Sequence, residues 1–224
     1  MSVMREYKRL TLLCGHYGSG KTNVAVNMAF DLKKQYERVA IADLDIVNPY
    51  FRTKDSSAEF EKANIRLICS QYANTNLDIP ALPPDMYTIT DDKTTKVILD
   101  IGGDDRGALA LGRLVPEILR ENDYEMLMVI NSYRPLTPDA QSTVEVMREI
   151  ELASKIPFTG LINNSNLGEE TTEQDVLDSA IYARQVSQQT GLPVVLTTVR
   201  QELYDPLKNQ IQNLFALRLQ EKVF

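Results

Sequence analysis

An α/β fold, a mainly parallel sheet flanked by helices on both faces, is what three features of this chain predict. Short Val/Ile/Leu-rich runs alternate with longer stretches of helical periodicity. The runs are near-continuously apolar, which marks strands buried on both faces rather than strands with one wet side. Several of them stop at an Asp or an Asn, and parallel sheets hold their ligands at the carboxyl ends of the strands.

The first run is Leu10-Thr11-Leu12-Leu13-Cys14. GHYGSGKT follows, Gly15 to Thr22, and then an apolar-periodic stretch from Val24 to Leu32. Strand, glycine-rich loop and helix stand in the order a P-loop requires. A phosphate chain needs backbone N–H groups aimed at it, and Gly15, Gly18 and Gly20 let the backbone turn and approach without a Cβ in the way. Lys21 supplies a mobile positive charge for the β- and γ-phosphates, Thr22 a hydroxyl for Mg²⁺, and the helix points its positive end at the anion. The segment predicts a P-loop NTPase fold that binds a nucleoside triphosphate, with His16, Tyr17 and Ser19 completing the loop.

Beyond the P-loop helix, Arg38 to Asp43 is a short apolar run ending in an acid. Ile65 to Cys69 is a second, placed near an edge because Arg66 interrupts it. Residues 72–95 carry Pro80, Pro83 and Pro84 among Asn, Asp and Thr, which reads as a surface loop with at most a short helix. Val97 to Asp100 is a buried strand running into Ile101-Gly102-Gly103. Met126 to Asn131, Phe158 to Asn163 and Val194 to Val199 are three further strands. Helical patterns occupy 107–121, 138–154, 172–190 and 206–222, with Thr137-Pro138 as a cap and first-turn proline. No repeat, low-complexity tract or linker divides the chain, so residues 1–224 read as one domain.

Composition narrows the function. At 224 residues and 43% hydrophobic, the chain can bury one α/β core. No run approaches the roughly 18 apolar residues of a membrane span. The apolar run after Arg5, Lys8 and Arg9 is too short for a signal peptide and is needed as a strand. Cys14 and Cys69 are isolated, so two buried thiols in a reducing cytoplasm are expected rather than a disulfide framework or metal site. A net charge of −7 argues against a broad nucleic-acid-binding face.

The P-loop, the Asp43-Leu44-Asp45-Ile46-Val47-Asn48-Pro49 segment, the Val97-to-Gly103 segment and the late strand-terminal Asn163-Asn164 come in a defined order. Together they resemble the MinD/ParA/ArsA-type P-loop ATPases, relatives of nitrogenase iron protein and dethiobiotin synthetase, over about residues 9 to 200. The resemblance implies that Lys21 and Thr22 hold phosphates and magnesium, and that Asp43 and Asp100 contact magnesium through water. It implies that Asp45 orients the attacking water with help from Asn48, and that the N–H of Gly103 senses the γ-phosphate. Asn164 matches the adenine-contacting position, with Asn163 as the neighbouring alternative. No NKxD guanine-reading motif is present, which favours ATP over GTP.

The chain departs from that family in its P-loop. Where the family has GKGGxGKT and a lysine that reaches a partner's nucleotide across a dimer, this chain has His16 and Tyr17. A histidine carries a full charge at pH 7 only if its pKa is raised, and Tyr17 adds bulk where two loops would meet. The expectation is a monomer, or a homodimer whose partner inserts no P-loop cation. Arg52, Arg106 and Arg134 are the candidates for a replacement cation. The terminal pattern at 206–222 carries few cations and is expected to cover the sheet rather than to bind membrane. The leading expectation is a Mg²⁺-dependent, slow cytoplasmic ATPase that moves loops 43–54 and 100–113 to control a partner protein. The alternative is an ATP-dependent synthase or ligase of the dethiobiotin-synthetase type, with a substrate pocket lined by 72–95 or Arg134. A module that holds ATP without hydrolysing it is disfavoured by the intact Lys21, Asp43, Asp45 and Asp100 set.

Overall fold

The computed structural model describes residues 5–44, 56–69, 84–102, 107 and 111–219. Within them the strands are β1 (Leu10–Cys14), β2 (Val39–Leu44), β3 (Arg66–Cys69), β4 (Lys96–Ile101), β5 (Tyr124–Ile130), β6 (Gly160–Asn163), β7 (Val194–Arg200) and β8 (Leu214–Leu217). The helices are α1 (Lys21–Lys33), α2 (Ser57–Lys62), α3 (Pro84–Asp91), α4 (Val115–Glu121), α5 (Ala140–Ser154), α6 (Glu173–Thr190) and α7 (Gln201–Leu207). The strands form one sheet in the order β3-β2-β4-β1-β5-β6-β7-β8, and every pairing is parallel.

The alternation of side chains along each strand sorts the core into two layers. Leu13, Ile41, Ile98 and Val129 pack with Val24, Ala25, Met28 and Leu32 of α1 and with Phe60 of α2. On α2, Phe60 also stacks on Phe30, with ring centroids 5.4 Å apart. Leu12, Ala42, Leu99 and Met128 point the other way, against α3, α4, α5 and α6. Both faces are therefore covered, which is why the strands read as unbroken apolar runs. The chain leaves β1 over one face toward β2 and leaves β4 over the other toward β5. The strand order reverses beside β1, the place where parallel sheets of this kind hold their ligands at the carboxyl ends.

Three expectations about elements are corrected. The pattern at 206–222 is not a helix. α7 ends at Leu207, Asn213 adopts a left-handed φ of 55° that stops any helix, and Leu214–Leu217 pairs with β7 as an edge strand. Leu207, Ile211, Leu214, Phe215 and Leu219 fall at helical spacing by coincidence, because Leu207 and Ile211 fill a small core with Val176 and Val199. After β8 the chain is clamped to α1 by a reciprocal pair, Asn27 Nδ2 to the Arg218 carbonyl (2.9 Å) and the Arg218 N–H to Asn27 Oδ1 (2.9 Å). Secondly, the cap of α5 is Asp139, whose carboxylate accepts from the Ser142 N–H at 2.9 Å, so Pro138 precedes the helix. Thr137 is buried, and its hydroxyl donates to the Asn131 carbonyl instead. Thirdly, Cys14 is buried as expected, whereas Cys69 sits half-buried on edge strand β3. Among the described residues no helix is long and apolar enough to cross a membrane.

The strand that carries the P-loop is anchored at its other end by Arg9. This side chain is 4% exposed. It pairs with Glu121 and donates to the carbonyls of Ile89 (3.0 Å), Asp92 (3.0 Å) and Thr95 (3.3 Å). Burial alone would push the Glu121 carboxyl up, but hydrogen bonds from Arg9 and Lys93 outweigh it and hold the carboxyl below its ordinary range. Arg9→Met is expected to cost about 3–5 kcal/mol, because it leaves Glu121 with Lys93 alone and three carbonyls unpaired. A depressed carboxyl contributes stability that is present above its unfolded pKa and lost as pH falls through the folded one. Urea unfolding should therefore show the gap between variant and wild type narrowing below the ordinary glutamate range.

Candidate functional site

Gly15 ends β1 with its Cα pressed on β5: a Cβ there would lie 2.4 Å from the Val129 carbonyl oxygen. Gly18 and Gly20 then turn with φ of 78° and 87°, a left-handed region open to glycine at little cost. A Cβ on Gly20 would stand 2.3 Å from Asn164 Nδ2. That amide donates to the Ser19 carbonyl at 2.6 Å, and the Thr198 hydroxyl donates to its Oδ1. The Ser19 N–H closes back on the His16 carbonyl at 3.1 Å. The loop is thus a tight turn held against the ends of β5 and β6.

The residues fit a phosphate chain. Gly20 caps α1 without any side-chain hydrogen bond, and the first turn of α1 contains no acidic residue. The N–H groups there and the positive end of the helix dipole suit an anion. Lys21 and Thr22 are both 5% exposed, at the start of that turn. The Ser19 hydroxyl and Asn131 Nδ2 are buried with no hydrogen-bond partner, an arrangement a bound ligand or its water would relieve.

They also fit a divalent cation. In register, Leu13, Asp100 and Asp43 lie side by side across β1, β4 and β2. Leu13 points to the face that α1 covers, so both carboxylates project to that side, where Thr22 begins the helix. Asp100 is fully buried and Asp43 half-buried. Two carboxylates and a hydroxyl from three elements are a hard, all-oxygen set, suited to Mg²⁺ that retains several waters.

The late asparagines are placed differently from each other. Asn163 Nδ2 donates to the Ser179 hydroxyl at 2.9 Å, and its Oδ1 accepts from the Ser165 N–H. It is held toward α6. Asn164 instead braces the P-loop through Ser19, a structural role its position alone did not reveal. His16 is half-buried, with Nδ1 3.1 Å from the Tyr17 carbonyl oxygen, and Tyr17 is 57% exposed. Arg134 lies against the P-loop: a Cβ on Gly18 would be 3.6 Å from its Cδ. Asp45, Asn48, Arg52, Gly103 and Arg106 lie outside the described residues. Sequence reasoning missed Asn131, fully buried at the end of β5, and Gly107. A Cβ on Gly107 would meet the backbone of Gly102 at 2.6 Å, so the two glycines touch backbone to backbone. Their signals were a polar residue terminating an apolar strand and a second glycine five residues on.

A P-loop pressed onto β5 and β6, two strand-end carboxylates facing its helix and an all-parallel sheet narrow the families that fit. This chain belongs to the CobQ/CobB/MinD/ParA nucleotide-binding domain family. The match runs over residues 13–214. No curated protein sequence matches it. The fold is similar to FtsY from Thermotoga maritima (TM-score 0.59, 17% identity, 92% of this chain and 66% of that one). It is similar also to FtsY from Mycoplasma mycoides (0.56, 15%, 88% and 61%) and to FlhF complexed with GTP/Mg²⁺ (0.55, 15%, 88% and 67%). The chain spans about three-fifths to two-thirds of the length of these proteins. As a CobQ/CobB/MinD/ParA-type domain it is a nucleotide-binding P-loop NTPase domain.

The close contact at Gly20 gives a test. Gly20→Ala should lower nucleotide affinity at least about tenfold and destabilise the fold, since it combines left-handed strain of about 1–2 kcal/mol with the Asn164 clash. Adding Asn164→Gly removes the clash but leaves the strain, so thermal melts and calorimetry should show partial recovery. No recovery would mean that Asn164 does not limit the loop.

Proposed function

We propose that this domain binds ATP with Mg²⁺ and hydrolyses it slowly, using the change from ATP to ADP to reposition its loops and control a partner protein. The observation that carries the reading is the convergence of Lys21, Thr22, Asp43 and Asp100 on the amino end of α1. Gly15 to Thr22 wrap the phosphates, and Lys21 neutralises the β- and γ-oxygens. Thr22 directly, with Asp43 and Asp100 through water, would hold magnesium, which draws charge off the transferring phosphoryl group.

Hydrolysis needs a water placed in line with the γ-phosphorus. Asp45 is assigned that task, with Asn48 beside it, and the Gly103 N–H the task of sensing the γ-phosphate. Phosphoryl transfer is governed by positioning and electrostatics, so a misplaced water costs rate rather than binding. ATP is preferred to GTP because the chain has no NKxD motif to read guanine. The neighbour FlhF is complexed with GTP/Mg²⁺, which makes the nucleotide itself a point for experiment.

A protein partner is supported by exposed apolar residues at this end of the sheet. Tyr17 after β1, Leu136 after β5 and Leu167 after β6 are 57%, 54% and 44% exposed. All three stand on loops that follow the carboxyl ends of these strands, the end a nucleotide-dependent partner would meet. Tyr17 and His16 also favour a monomer, or a homodimer without a trans-acting P-loop cation.

Calorimetry should show ATP·Mg bound more tightly than GTP·Mg, with Lys21→Ala losing at least about tenfold in affinity. Asp45→Asn should keep ATP affinity within about threefold while phosphate release falls at least about tenfold. Hydrogen exchange at 45–54 and 101–110 should slow with a non-hydrolysable ATP analogue and not with ADP. Equal protection by both nucleotides would favour the dethiobiotin-synthetase-like alternative over a switch.

A further inference from the structure

The loop after β5 presents a cation to the P-loop from within the same chain. Asn131 builds that loop. Its carbonyl accepts from the Arg134 N–H (3.3 Å) and the Thr137 hydroxyl (2.8 Å), and its Oδ1 accepts from the Tyr133 N–H (3.0 Å). The Arg134 carbonyl accepts from the Thr137 N–H at 3.1 Å. On either side, the Ser132 N–H donates to the Ser165 hydroxyl (3.0 Å) and the Tyr133 hydroxyl to the Asp175 carbonyl (3.2 Å). The backbone that carries Arg134 is therefore pinned to the ends of β6 and α6.

From that backbone the side chain runs to the P-loop. A Cβ on Gly18 would lie 3.6 Å from Arg134 Cδ and 3.7 Å from Nε, ordinary contact distances. Nε is buried and has no hydrogen-bond partner, and among the described residues Arg134 makes no ion pair. The half-buried Arg5 and Arg200 also carry an unpartnered Nε, but each faces a carboxylate, Glu125 and Glu202, whereas Arg134 faces the P-loop. With 31 acidic residues in the chain against 24 basic, an arginine that makes no ion pair among the described residues and lies against a phosphate loop is a cation available to an anionic ligand.

We propose that Arg134 is the cation, supplied in cis, that meets the charge on the transferring γ-phosphoryl group. The inference rests on the NTPase reading above. In that reaction the water oxygen bonds to the γ-phosphorus as the bond to the β–γ bridging oxygen breaks. The electron pair stays on the leaving diphosphate, and the water proton passes to the released phosphate. Charge grows on the bridging and equatorial oxygens during this step, and a planar guanidinium offers several donors to them. Preorganisation by the Asn131 turn is what makes such a contact effective, since no reorganisation accompanies the reaction. The arrangement also supplies a charge where the P-loop has His16.

The test compares wild type with Arg134→Met, which retains the aliphatic stem over Gly18 and removes the charge, and with Arg134→Lys. ADP·Mg affinity should change by less than about threefold in Arg134→Met. Affinity for ADP·Mg with tetrafluoroaluminate, a planar mimic of the transferring group, should fall at least about 30-fold, and turnover about 100-fold. Arg134→Lys should recover part of both. Mixing Arg134→Met with Lys21→Ala protein should restore no activity. Restored activity would show an arginine acting across a dimer and overturn the cis assignment. Unchanged affinity for the tetrafluoroaluminate complex in Arg134→Met would overturn the proposal outright, while wild-type turnover would leave the parent reading intact. A wild-type protein that binds neither nucleotide complex would remove both.

Discussion

The P-loop lies so close to the carboxyl ends of β5 and β6 that no side chain fits between them, and the site depends on that contact. Gly15 sits over the Val129 carbonyl and Gly20 over the Asn164 amide, each where a Cβ would intrude to 2.4 or 2.3 Å. A loop floating above the sheet could orient its N–H groups many ways. This one is squeezed between β5 below and the Asn164–Thr198 pair beside it, so its turn is set before any ligand arrives. Because the loop is set, α1 begins at Lys21, and its first turn faces the strands that end in Asp43 and Asp100. The price of this arrangement is strain at two left-handed glycines, which glycine alone tolerates at low cost.

Much of this was legible in the sequence because parallel sheets have a strong grammar. Strands buried on both faces are unbroken apolar runs, and β1, β2, β4 and β5 each matched such a run to within two residues. The edge position of β3 followed from Arg66, which is exposed at that edge. The loss of signal came where burial is partial. β8 is an edge strand with three half-buried residues, and its apolar residues, joined to Leu207 and Ile211, imitated a helical stripe. Only the left-handed turn at Asn213 breaks the imitation, and an asparagine takes that conformation without announcing it.

The candidate site was legible in its motifs and less so in its supports. Gly15 to Thr22 declared themselves by spacing, and Asp43 and Asp100 by standing at strand ends. That the two aspartates are neighbours on one face required the sheet order, which brings β2 and β4 together although two helices and a strand separate them in sequence. Asn164 illustrates the limit. A strand-terminal asparagine looks the same in sequence whether its amide faces a base or a backbone carbonyl, and here it holds Ser19. Asn131 was hidden in the same way, since its importance lies in what its own backbone accepts.

Charge bookkeeping shows what the backbone contributes. The chain carries a net charge of −7, so an anionic ligand gains nothing from the long-range field and must be held by local groups. Locally, among the described residues, the formal charges of Asp43 and Asp100 offset those of Lys21 and Arg134. Attraction for a phosphate chain then falls to the N–H groups of the P-loop and the amino end of α1, which carry partial charge without a counter-ion. These groups are directional and short-ranged, effective within about one helical turn. A phosphate is consequently recognised by shape more than by charge, and a loop pressed rigidly onto β5 and β6 is the condition for that recognition.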